Sequence, residues 1–257
     1  MNRIAVITGV SRLKGIGKAI CIELAKKGHD IFFTYWREYD KDMPWNSEDD
    51  EPQQIEDEIK TFGVQCHRIE LDLSKKDSVS TLFKEVKTTL GNPSILINNA
   101  TYSKESNINN LTLEELDMHY AVNVRATTML TLQFIKEFKE KNHGRIINLS
   151  SGQSLSAMSE EIAYAITKGA IETLTKTLGH EIASKGITIN AVNPGLTDSG
   201  WMDEDLKKIF LDRCPMGRFG KPEDAAKLIA FLVSKDGGWV TGQIIHSEGG
   251  FIREKYD

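Results

Sequence analysis

The sequence predicts an α/β fold in which helices flank one doubly wound parallel sheet of about seven strands. Short apolar runs rich in β-branched residues alternate with segments of helical periodicity along the whole chain. This alternation favours a parallel sheet, because each parallel strand is joined to the next by a crossover that is usually a helix. No repeat, low-complexity tract or linker interrupts the 257 residues. We therefore expect a single domain over residues 1–257.

The first strand and the turn after it indicate what this sheet binds. A strand predicted over residues 4–8 runs directly into Gly9. Gly15 and Gly17 then precede a helix predicted over residues 18–27. Glycine lets the backbone turn tightly and approach a pyrophosphate, while the helix N-terminus offers free N–H groups. Strand, glycine-rich turn and helix in this order are typical of a Rossmann-type, dinucleotide-binding fold.

The remaining elements follow from the same periodicities. Further strands are predicted over residues 31–35, 64–71, 94–97, 145–149, 187–192 and 243–246. Further helices are predicted over residues 53–62, 74–90, 113–141, 160–178 and 222–233. The acidic segment 38–58 is expected to begin as a solvated loop, and a role in shaping the cofactor or substrate rim is the lesser alternative. Residues 196–220 are expected to be irregular and to carry a substrate loop at 196–218.

Composition and charge exclude several classes of partner. The net charge of −5 argues against nucleic acid or an anionic membrane as the main partner. Cys21, Cys66 and Cys214 show no close pairing, and no carboxylate–histidine spacing suggests a metal, so neither a disulfide framework nor a metal site is expected. No apolar run approaches membrane-spanning length, and the N-terminus lacks a signal-peptide pattern. We therefore expect a cytoplasmic protein with a small-molecule partner.

The stretch after the fifth predicted strand carries the strongest chemical signal. That strand ends in Ser151, and Tyr164 and Lys168 lie one turn apart on the next helix, so their side chains share a face. A free phenol has a pKa of about 10, and an ammonium beside it is expected to lower that pKa. A general acid works best with a pKa near the working pH. Ser151 is placed to hydrogen-bond the same substrate oxygen.

Such a Tyr–Lys pair also occurs by chance in many helices, so its weight comes from other motifs in the chain. These motifs, in order, are Thr8-Gly9, Gly15-Ile16-Gly17, Asn98-Asn99-Ala100, Asn123, Pro194-Gly195 and Gly249-Gly250. Together with Ser151, Tyr164 and Lys168 they resemble the classical short-chain dehydrogenase/reductase family over nearly the whole chain. Thr101 replaces the glycine of the family's Asn-Asn-Ala-Gly motif, and Glu248 replaces the usual aspartate before the final glycine pair.

The resemblance implies a role for each matching residue. Tyr164 would donate a proton to a carbonyl oxygen that Ser151 holds and polarises. Lys168 would lower the pKa of Tyr164 and bind the nicotinamide ribose, and Asn123 would help to keep a water molecule in a proton relay. A nicotinamide cofactor would supply the hydride. The expected cofactor contacts are Gly9, Ser11, Arg12, Gly15, Ile16, Gly17, Arg37, Asp72, Leu73, Asn99, Ala100, Tyr164, Lys168, Pro194, Gly195, Thr197 and Ser199.

Two departures from the family pattern bear on the reaction. Five residues, 10–14, separate the first two glycines where the family usually has three. An expanded glycine motif also occurs in the divergent enoyl reductases of the same superfamily, but those space their Tyr and Lys more widely than Tyr164 and Lys168, which favours carbonyl reduction here. Many relatives have a threonine four residues after the glycine of Pro194-Gly195, where this chain has Ser199 and so retains a hydroxyl.

Cofactor preference depends on the end of the second strand. Folds of this type that prefer NAD usually have an acid there, whereas this chain has Tyr35. Arg12, Lys14 and Arg37 would surround a 2′-phosphate, which favours NADPH. Glu38 lies near the usual spacing for a ribose-binding acid, so NADH stays open. Asp72 and Leu73 are expected to meet the adenine.

The favoured function is therefore NADPH-dependent reduction of a ketone or 3-oxoacyl thioester. Residues 144–151 resemble the corresponding stretch of 3-oxoacyl-acyl carrier protein reductases. An NAD-dependent alcohol, sugar or steroid dehydrogenase is one alternative, and a non-catalytic dinucleotide-sensing or scaffold protein that merely retains the fold is another. His119 and His246 are expected to be structural. Relatives commonly form homotetramers through their two long helices, so a homotetramer or homodimer is expected.

Overall fold

A computed structural model describes residues 3–43, 45, 47–139 and 143–253. Seven parallel strands form one sheet in the order β3-β2-β1-β4-β5-β6-β7, which confirms the predicted fold class. The strands are β1 Ile4–Ile7, β2 Asp30–Tyr35, β3 Cys66–Glu70, β4 Ile95–Asn98, β5 Gly144–Leu149, β6 Ile187–Asn193 and β7 Ile244–His246. No helix among the described residues is long and apolar enough to span a membrane.

Helices cover both faces of this sheet. They are α1 Ile16–Ala25, α2 Arg37–Lys41, α3 Glu51–Lys60, α4 Ser78–Thr89, α5 Leu113–His119, α6 Thr127–Glu137, α7 Ile162–Glu181, α8 Glu204–Leu211 and α9 Pro222–Val233. A π-helical segment, Tyr120–Ala126, joins α5 to α6. Short 3₁₀ turns occur at Gly152–Ser154, Ala183–Lys185 and Asp236–Trp239.

Two apolar layers hold the helices on the sheet. Successive strand residues point to opposite faces, so Ile7 and Val6 belong to different layers. The layer that contains Ile7 is completed by α1, α3 and α9, and the layer that contains Val6 is completed mainly by α4 and α6. Every residue of β4, β5 and β6 is buried, as expected for central parallel strands that are covered on both faces.

The strand order reverses between β1 and β4, which are hydrogen-bonded neighbours. In open parallel sheets, a crevice for ligands opens at the carboxyl ends of the strands at this point. The loops that follow β1, β4, β5 and β6 leave from this edge. They carry the glycine turn, Asn99, Ser151 and Pro194-Gly195, so the topology brings together motifs that are far apart in sequence.

Three predicted segments differ from the observed structure. Residues 38–58 do not begin as a plain solvated loop, because α2 forms within them and Asp40 is buried. Residues 196–220 contain α8, whose start is capped by Asp203 through hydrogen bonds from the backbone N–H groups of Asp205 and Leu206. The helix predicted over 113–141 is interrupted by the π-helical segment, and positions 140 and 141 lie outside the described residues.

Candidate active site

The glycine turn after β1 is packed too closely for side chains. Gly9 has a φ of +74°, and a Cβ there would lie 2.5 Å from Ala100 Cα. A Cβ on Gly17 would lie 2.8 Å from Gly9 O and 2.9 Å from Asn99 Nδ2. Real Cβ atoms do not approach other heavy atoms this closely, so both positions require glycine. The turn is therefore a close backbone cradle at the end of β1.

Hydrogen bonds from the end of β4 fix this cradle. Asn99 Nδ2 donates to Thr8 O at 2.9 Å and to Gly9 O at 2.8 Å. Thr8 Oγ1 accepts from the backbone N–H groups of Asn99 at 3.1 Å and Ala100 at 3.0 Å. The backbone positions of the glycine turn are thus set by the Asn-Asn-Ala motif of β4.

The longer glycine loop is held by the acidic segment. Leu13 N donates to Glu51 Oε2 at 2.5 Å, and Glu51 Oε1 accepts from Glu48 N at 2.9 Å. Ser11 Oγ accepts from Trp36 N at 3.4 Å, which ties the same loop to the end of β2. These contacts favour the view that segment 38–58 shapes the cofactor rim.

The guanidinium of Arg37 is bound within the acidic segment. Only 6% of the residue is exposed, and its guanidinium donates to Ser47 Oγ and to Asp49 Oδ1, both at 3.0 Å. Glu38, the alternative ribose ligand, is exposed and forms an ion pair with Lys41 at 3.1 Å. Both side chains therefore have partners within their own segment.

Arg12 spans from the glycine loop to the loop after β6. Its Nη1 donates to Ser199 O at 2.9 Å, and its guanidinium lies 4.2 Å from the centre of the Trp45 ring. Asp40 Oδ1 is 3.9 Å from Arg12 Nε, and burial raises the pKa of the Asp40 carboxyl. Arg12, one of the cations expected at the 2′-phosphate site, thus extends from the glycine loop to contact both the loop after β6 and the acidic segment.

The remaining predicted cofactor residues lie on the loops at the same edge. Thr197 Oγ1 donates to Pro194 O at 2.8 Å, and Gly195 N donates to Asn193 Oδ1 at 2.9 Å. Asp72 Oδ1 accepts from Ser74 N at 2.8 Å, and Leu73 is buried in the apolar layer that contains Val6.

Ser151, Tyr164 and Lys168 meet where β5 faces α7. Lys168 is buried, and its Nζ donates to Leu149 O at 2.8 Å. The same Nζ lies 5.4 Å from the centre of the Tyr164 ring. Ser151 lies close enough to the half-buried Tyr164 to lower the pKa of the phenol, and its Oγ donates to Met158 Sδ at 4.0 Å. The structure therefore brings a hydroxyl, a phenol and an ammonium group into one corner.

Asn123 lies in the π-helical segment and joins three parts of the site. Its Nδ2 donates to Tyr102 O at 2.8 Å and to Thr167 Oγ1 at 3.0 Å. Its Oδ1 accepts from Tyr102 N at 2.7 Å and from Thr101 Oγ1 at 3.2 Å. Single π-helical turns are frequent at functional sites. Asn123 thereby fixes the loop after β4 against α7.

The acid–base balance of the site differs from the predicted one. Burial raises the pKa of Tyr164 to about 12, the hydrogen bond from Ser151 opposes this rise, and the charges of Glu161 and Tyr39 add to it. Burial also lowers the pKa of Lys168 to about 8. The pKa of Tyr164 is thus raised rather than lowered, because burial, the largest cause, disfavours the phenolate. That Lys168 stabilises the phenolate stays a prediction.

The lowered pKa of Lys168 predicts how the stability of the protein depends on pH. Its pKa falls from the ordinary 10.5 to about 8 on folding, so the unfolded chain binds more protons between these values. The free energy of unfolding of the wild type is therefore expected to rise between pH 8 and pH 10.5. Measured against Lys168→Met, which lacks the titrating group, this rise is expected to be about 3 kcal/mol. Urea unfolding of both proteins across this pH range measures the gain. A difference that does not change with pH contradicts the assignment.

Two residues near the phenol were not predicted from the sequence. Glu161 begins α7, its Oε2 accepts from Ser103 Oγ at 3.4 Å, and burial raises the pKa of its carboxyl to about 7. Tyr39, from α2, donates its hydroxyl to Ser103 O at 3.1 Å and packs 5.4 Å from the Tyr102 ring. The aromatic residues within the acidic segment were the available signal for Tyr39. A glutamate before an amphipathic helix carried no signal for Glu161.

The histidines and cysteines lie where structural roles are expected. His119 is fully buried, and its Nδ1 is 2.7 Å from Glu115 O. His246 Nδ1 is 3.0 Å from Asn193 Nδ2. Cys21, Cys66 and Cys214 are free, and Cys21 and Cys66 are buried in the core. Within the described ranges, no group of three or more His, Cys, Asp or Glu residues is arranged to hold a metal ion.

Comparison with known proteins places this geometry among oxidoreductases. Residues 9–252 match the family model described as enoyl-(acyl carrier protein) reductase. The uncharacterized oxidoreductase YjdA of Bacillus subtilis is 48% identical over 254 residues, which cover 98% of each chain. The 3-oxoacyl-[acyl-carrier-protein] reductase FabG of Staphylococcus epidermidis is 33% identical, over 97% of this chain and 99% of its own.

A solved structure extends the comparison to a bound cofactor. The angucycline C-6 ketoreductase LanV with bound NADP superimposes with a TM-score of 0.85 at 28% identity. The match covers 96% of this chain and 95% of that one. The similarity thus extends over nearly the whole of each protein rather than over one motif.

Proposed function

The chain belongs to the short-chain dehydrogenase/reductase family of NAD(P)-dependent oxidoreductases, and we propose that it reduces a ketone or 3-oxoacyl thioester with NADPH. The observation that carries the proposal is the meeting of Ser151, Tyr164 and Lys168 at the carboxyl edge of the sheet. A hydroxyl and a phenol that lie this close together can bind one carbonyl oxygen between them. The Lys168 ammonium group over the phenol ring completes an arrangement suited to proton transfer.

The residues at this edge fit a nicotinamide dinucleotide. The glycine cradle lets backbone N–H groups approach a pyrophosphate, and Gly15 at the start of α1 offers no side chain that would compete for them. Asn99, Ala100 and the loop after β6 would line the nicotinamide half, and Lys168 would hold its ribose. When bound, the reduced nicotinamide supplies the hydride.

The protein's own groups complete the reduction. Ser151 donates a hydrogen bond to the substrate carbonyl oxygen and stabilises the negative charge that develops there. Tyr164 donates its proton to the same oxygen, which forms the alcohol and leaves a phenolate. The high pKa of Tyr164 keeps this proton in place at neutral pH. Lys168, when charged, stabilises the phenolate, and Asn123 keeps the neighbouring loop in register.

The substrate class is supported by the relatives and by the loop after β6. FabG is named for reduction of 3-oxoacyl groups and LanV for ketone reduction. The substrate loop carries the exposed Trp201 and Met216, which offer an apolar surface for an acyl chain. The i, i+4 spacing of Tyr164 and Lys168 favours carbonyl reduction over the enoyl reduction in the family description.

The proposal is tested first by cofactor affinity and then by substrate. Purified protein is titrated with NADPH and NADH while nicotinamide fluorescence is followed, and NADPH is expected to bind more tightly. Acetoacetyl thioesters, simple ketones and crotonyl thioesters are then compared as acceptors. Turnover of the 3-oxo compounds alone supports the proposal. Preferred turnover of the crotonyl thioester makes the protein an enoyl reductase, and binding of neither nucleotide revives the scaffold alternative.

Substitutions of Arg12 and Arg37 are expected to change the affinity for NADPH differently. Arg12→Ala is expected to weaken NADPH by about 10- to 100-fold and NADH by less than about threefold, because charged hydrogen bonds to phosphate contribute about 1.5–3 kcal/mol. Arg37→Ala is the matched control, since Arg37 is bound to Ser47 and Asp49 and is expected to affect both cofactors equally. Fluorescence titration measures all four constants. Equal losses in Arg12→Ala remove Arg12 from the 2′-phosphate site.

A homotetramer or homodimer forms part of the same proposal. Ile166 on α7 is 60% exposed, and Met129 and Leu132 on α6 are 49% and 43% exposed. These side chains lie on the two long helical stretches that were predicted to mediate assembly, and exposed apolar residues on paired helices favour contact with a second copy.

A further inference from the structure

Glu172 connects α7 to the loop that carries Ser151. It lies one turn after Lys168 and two turns after Tyr164, so all three side chains share one face of the helix. Only 6% of Glu172 is exposed. A carboxylate this deeply buried in a helix needs polar partners that compensate for its lost hydration.

All of its hydrogen-bond donors come from one short segment. Glu172 Oε1 accepts from Ser150 Oγ at 2.8 Å, from Gln153 Nε2 at 3.0 Å and from Ser154 Oγ at 3.0 Å. Ser150 and Gln153 lie on either side of Ser151 in sequence. Segment 150–154 is thus bound at three points to a single oxygen atom on α7.

This segment has little regular structure that would otherwise fix it. β5 ends at Leu149, and only the single 3₁₀ turn Gly152–Ser154 follows. Arg253 also lies against it, since a Cβ on Gly152 would be 2.6 Å from Arg253 Nη2. Glu172 supplies the polar anchor of the segment on α7.

We propose that Glu172 is a positioning residue, which fixes segment 150–154 on α7 and so aims the Ser151 hydroxyl at the oxygen that Tyr164 protonates. The inference rests on the proposed function, because it assigns Ser151 a part in the reaction. Helix α7 then supplies the proton donor, the lysine and the anchor of the serine loop from one rigid element. Groups held on a rigid element keep the geometry that proton transfer requires.

A double-mutant cycle with Ser151 tests this role. Glu172→Ala is expected to lower kcat by about 10- to 100-fold in the wild-type background, since misplacement of a contact by about 1 Å has an effect of this size. In the Ser151→Ala background the same substitution is expected to change kcat by less than about twofold. The KM for NADPH is expected to stay unchanged in both. Hydrogen exchange of the peptide covering residues 150–154 is expected to quicken in Glu172→Ala.

Controls separate positioning from general destabilisation. Glu56→Gln is the matched control, because Glu56 is a similarly buried carboxylate that binds Arg68 and Lys60 far from Ser151. It is expected to lower thermal stability without changing kcat or exchange in segment 150–154. If Glu172→Ala does not fold, Glu172→Gln, which keeps the shape and one acceptor oxygen, replaces it in the cycle.

The outcomes distinguish a failure of the role proposed for Glu172 from a failure of the proposed reaction. Equal losses of kcat from Glu172→Ala in both backgrounds would show that Glu172 acts on stability alone, and this result overturns the inference while leaving the reaction intact. Unchanged exchange in segment 150–154 also overturns it. Near-normal turnover by Ser151→Ala instead overturns the proposed mechanism itself.

Discussion

Tyr164→Phe is expected to lower kcat for reduction of a 3-oxoacyl thioester by about 10²- to 10⁴-fold, the usual contribution of a positioned general acid. The substitution removes only the phenolic hydroxyl, so the ring and its packing under Lys168 stay in place. Affinity for NADPH is expected to remain within about threefold of the wild type, because the hydroxyl contributes at most about one ordinary hydrogen bond to binding. Steady-state oxidation of NADPH and fluorescence titration measure the two quantities separately.

A second tyrosine provides the control for Tyr164. Tyr39 also has its pKa raised to about 12 by burial, and it lies close enough for its charge to affect Tyr164. Its hydroxyl is already bound to Ser103 O, so Tyr39→Phe is expected to change kcat by only a few fold. If Tyr164→Phe retained near-normal turnover, Tyr164 would not be the proton donor.

Gly9→Ala is expected to disrupt the cofactor cradle. The new Cβ would lie 2.5 Å from Ala100 Cα, and the φ of +74° adds strain for any residue with a Cβ. Strain and overpacking together are expected to lower the free energy of unfolding by about 2–4 kcal/mol. Because the backbone must move where the pyrophosphate would bind, affinity for NADPH is expected to fall by at least about tenfold, or about 1.4 kcal/mol.

Gly63→Ala is the control for Gly9→Ala, because it introduces backbone strain without a close contact. Gly63 has a φ of +76°, nearly that of Gly9, but a Cβ there would meet nothing within 4 Å. We expect a loss of about 1–2 kcal/mol in the free energy of unfolding and no change in cofactor affinity. Thermal unfolding and fluorescence titration of both variants measure the difference. If both variants bound NADPH as the wild type does, the glycine turn would not contact the cofactor.

Much of the fold could be predicted because its signals are local. The buried strands read as short apolar runs, and Pro222 marks the start of α9, which was predicted with the observed bounds. α8 was missed because its eight residues give too short a periodic pattern, and its cap by Asp203 lies in a segment rich in turn residues. The π-helical segment was missed because the side-chain pattern of a helix changes little over a single wide turn.

The candidate site, like the fold, could be predicted only where its signals are local. The glycine turn and the Tyr164–Lys168 pair depend on spacing within one segment, so their meeting followed from motif and topology. Desolvation depends on everything packed around a group, and no local pattern shows how far Tyr164 and Lys168 are removed from water. Arg37 similarly looked available for phosphate because its partner, Asp49, lies twelve residues away across a loop.

The contacts of the acidic segment have a consequence for anyone who rebuilds this protein. Glu51 holds the backbone of the expanded glycine loop through Leu13, while Tyr39 holds Ser103 beside the phenol. Replacing the loop with the shorter version found in most relatives would leave Glu51 without this partner, and replacing the segment would leave Leu13 N–H unbound. The glycine loop and the acidic segment therefore have to be exchanged together. A chimaera that transfers both together preserves the junction, whereas a swap of either piece alone breaks it.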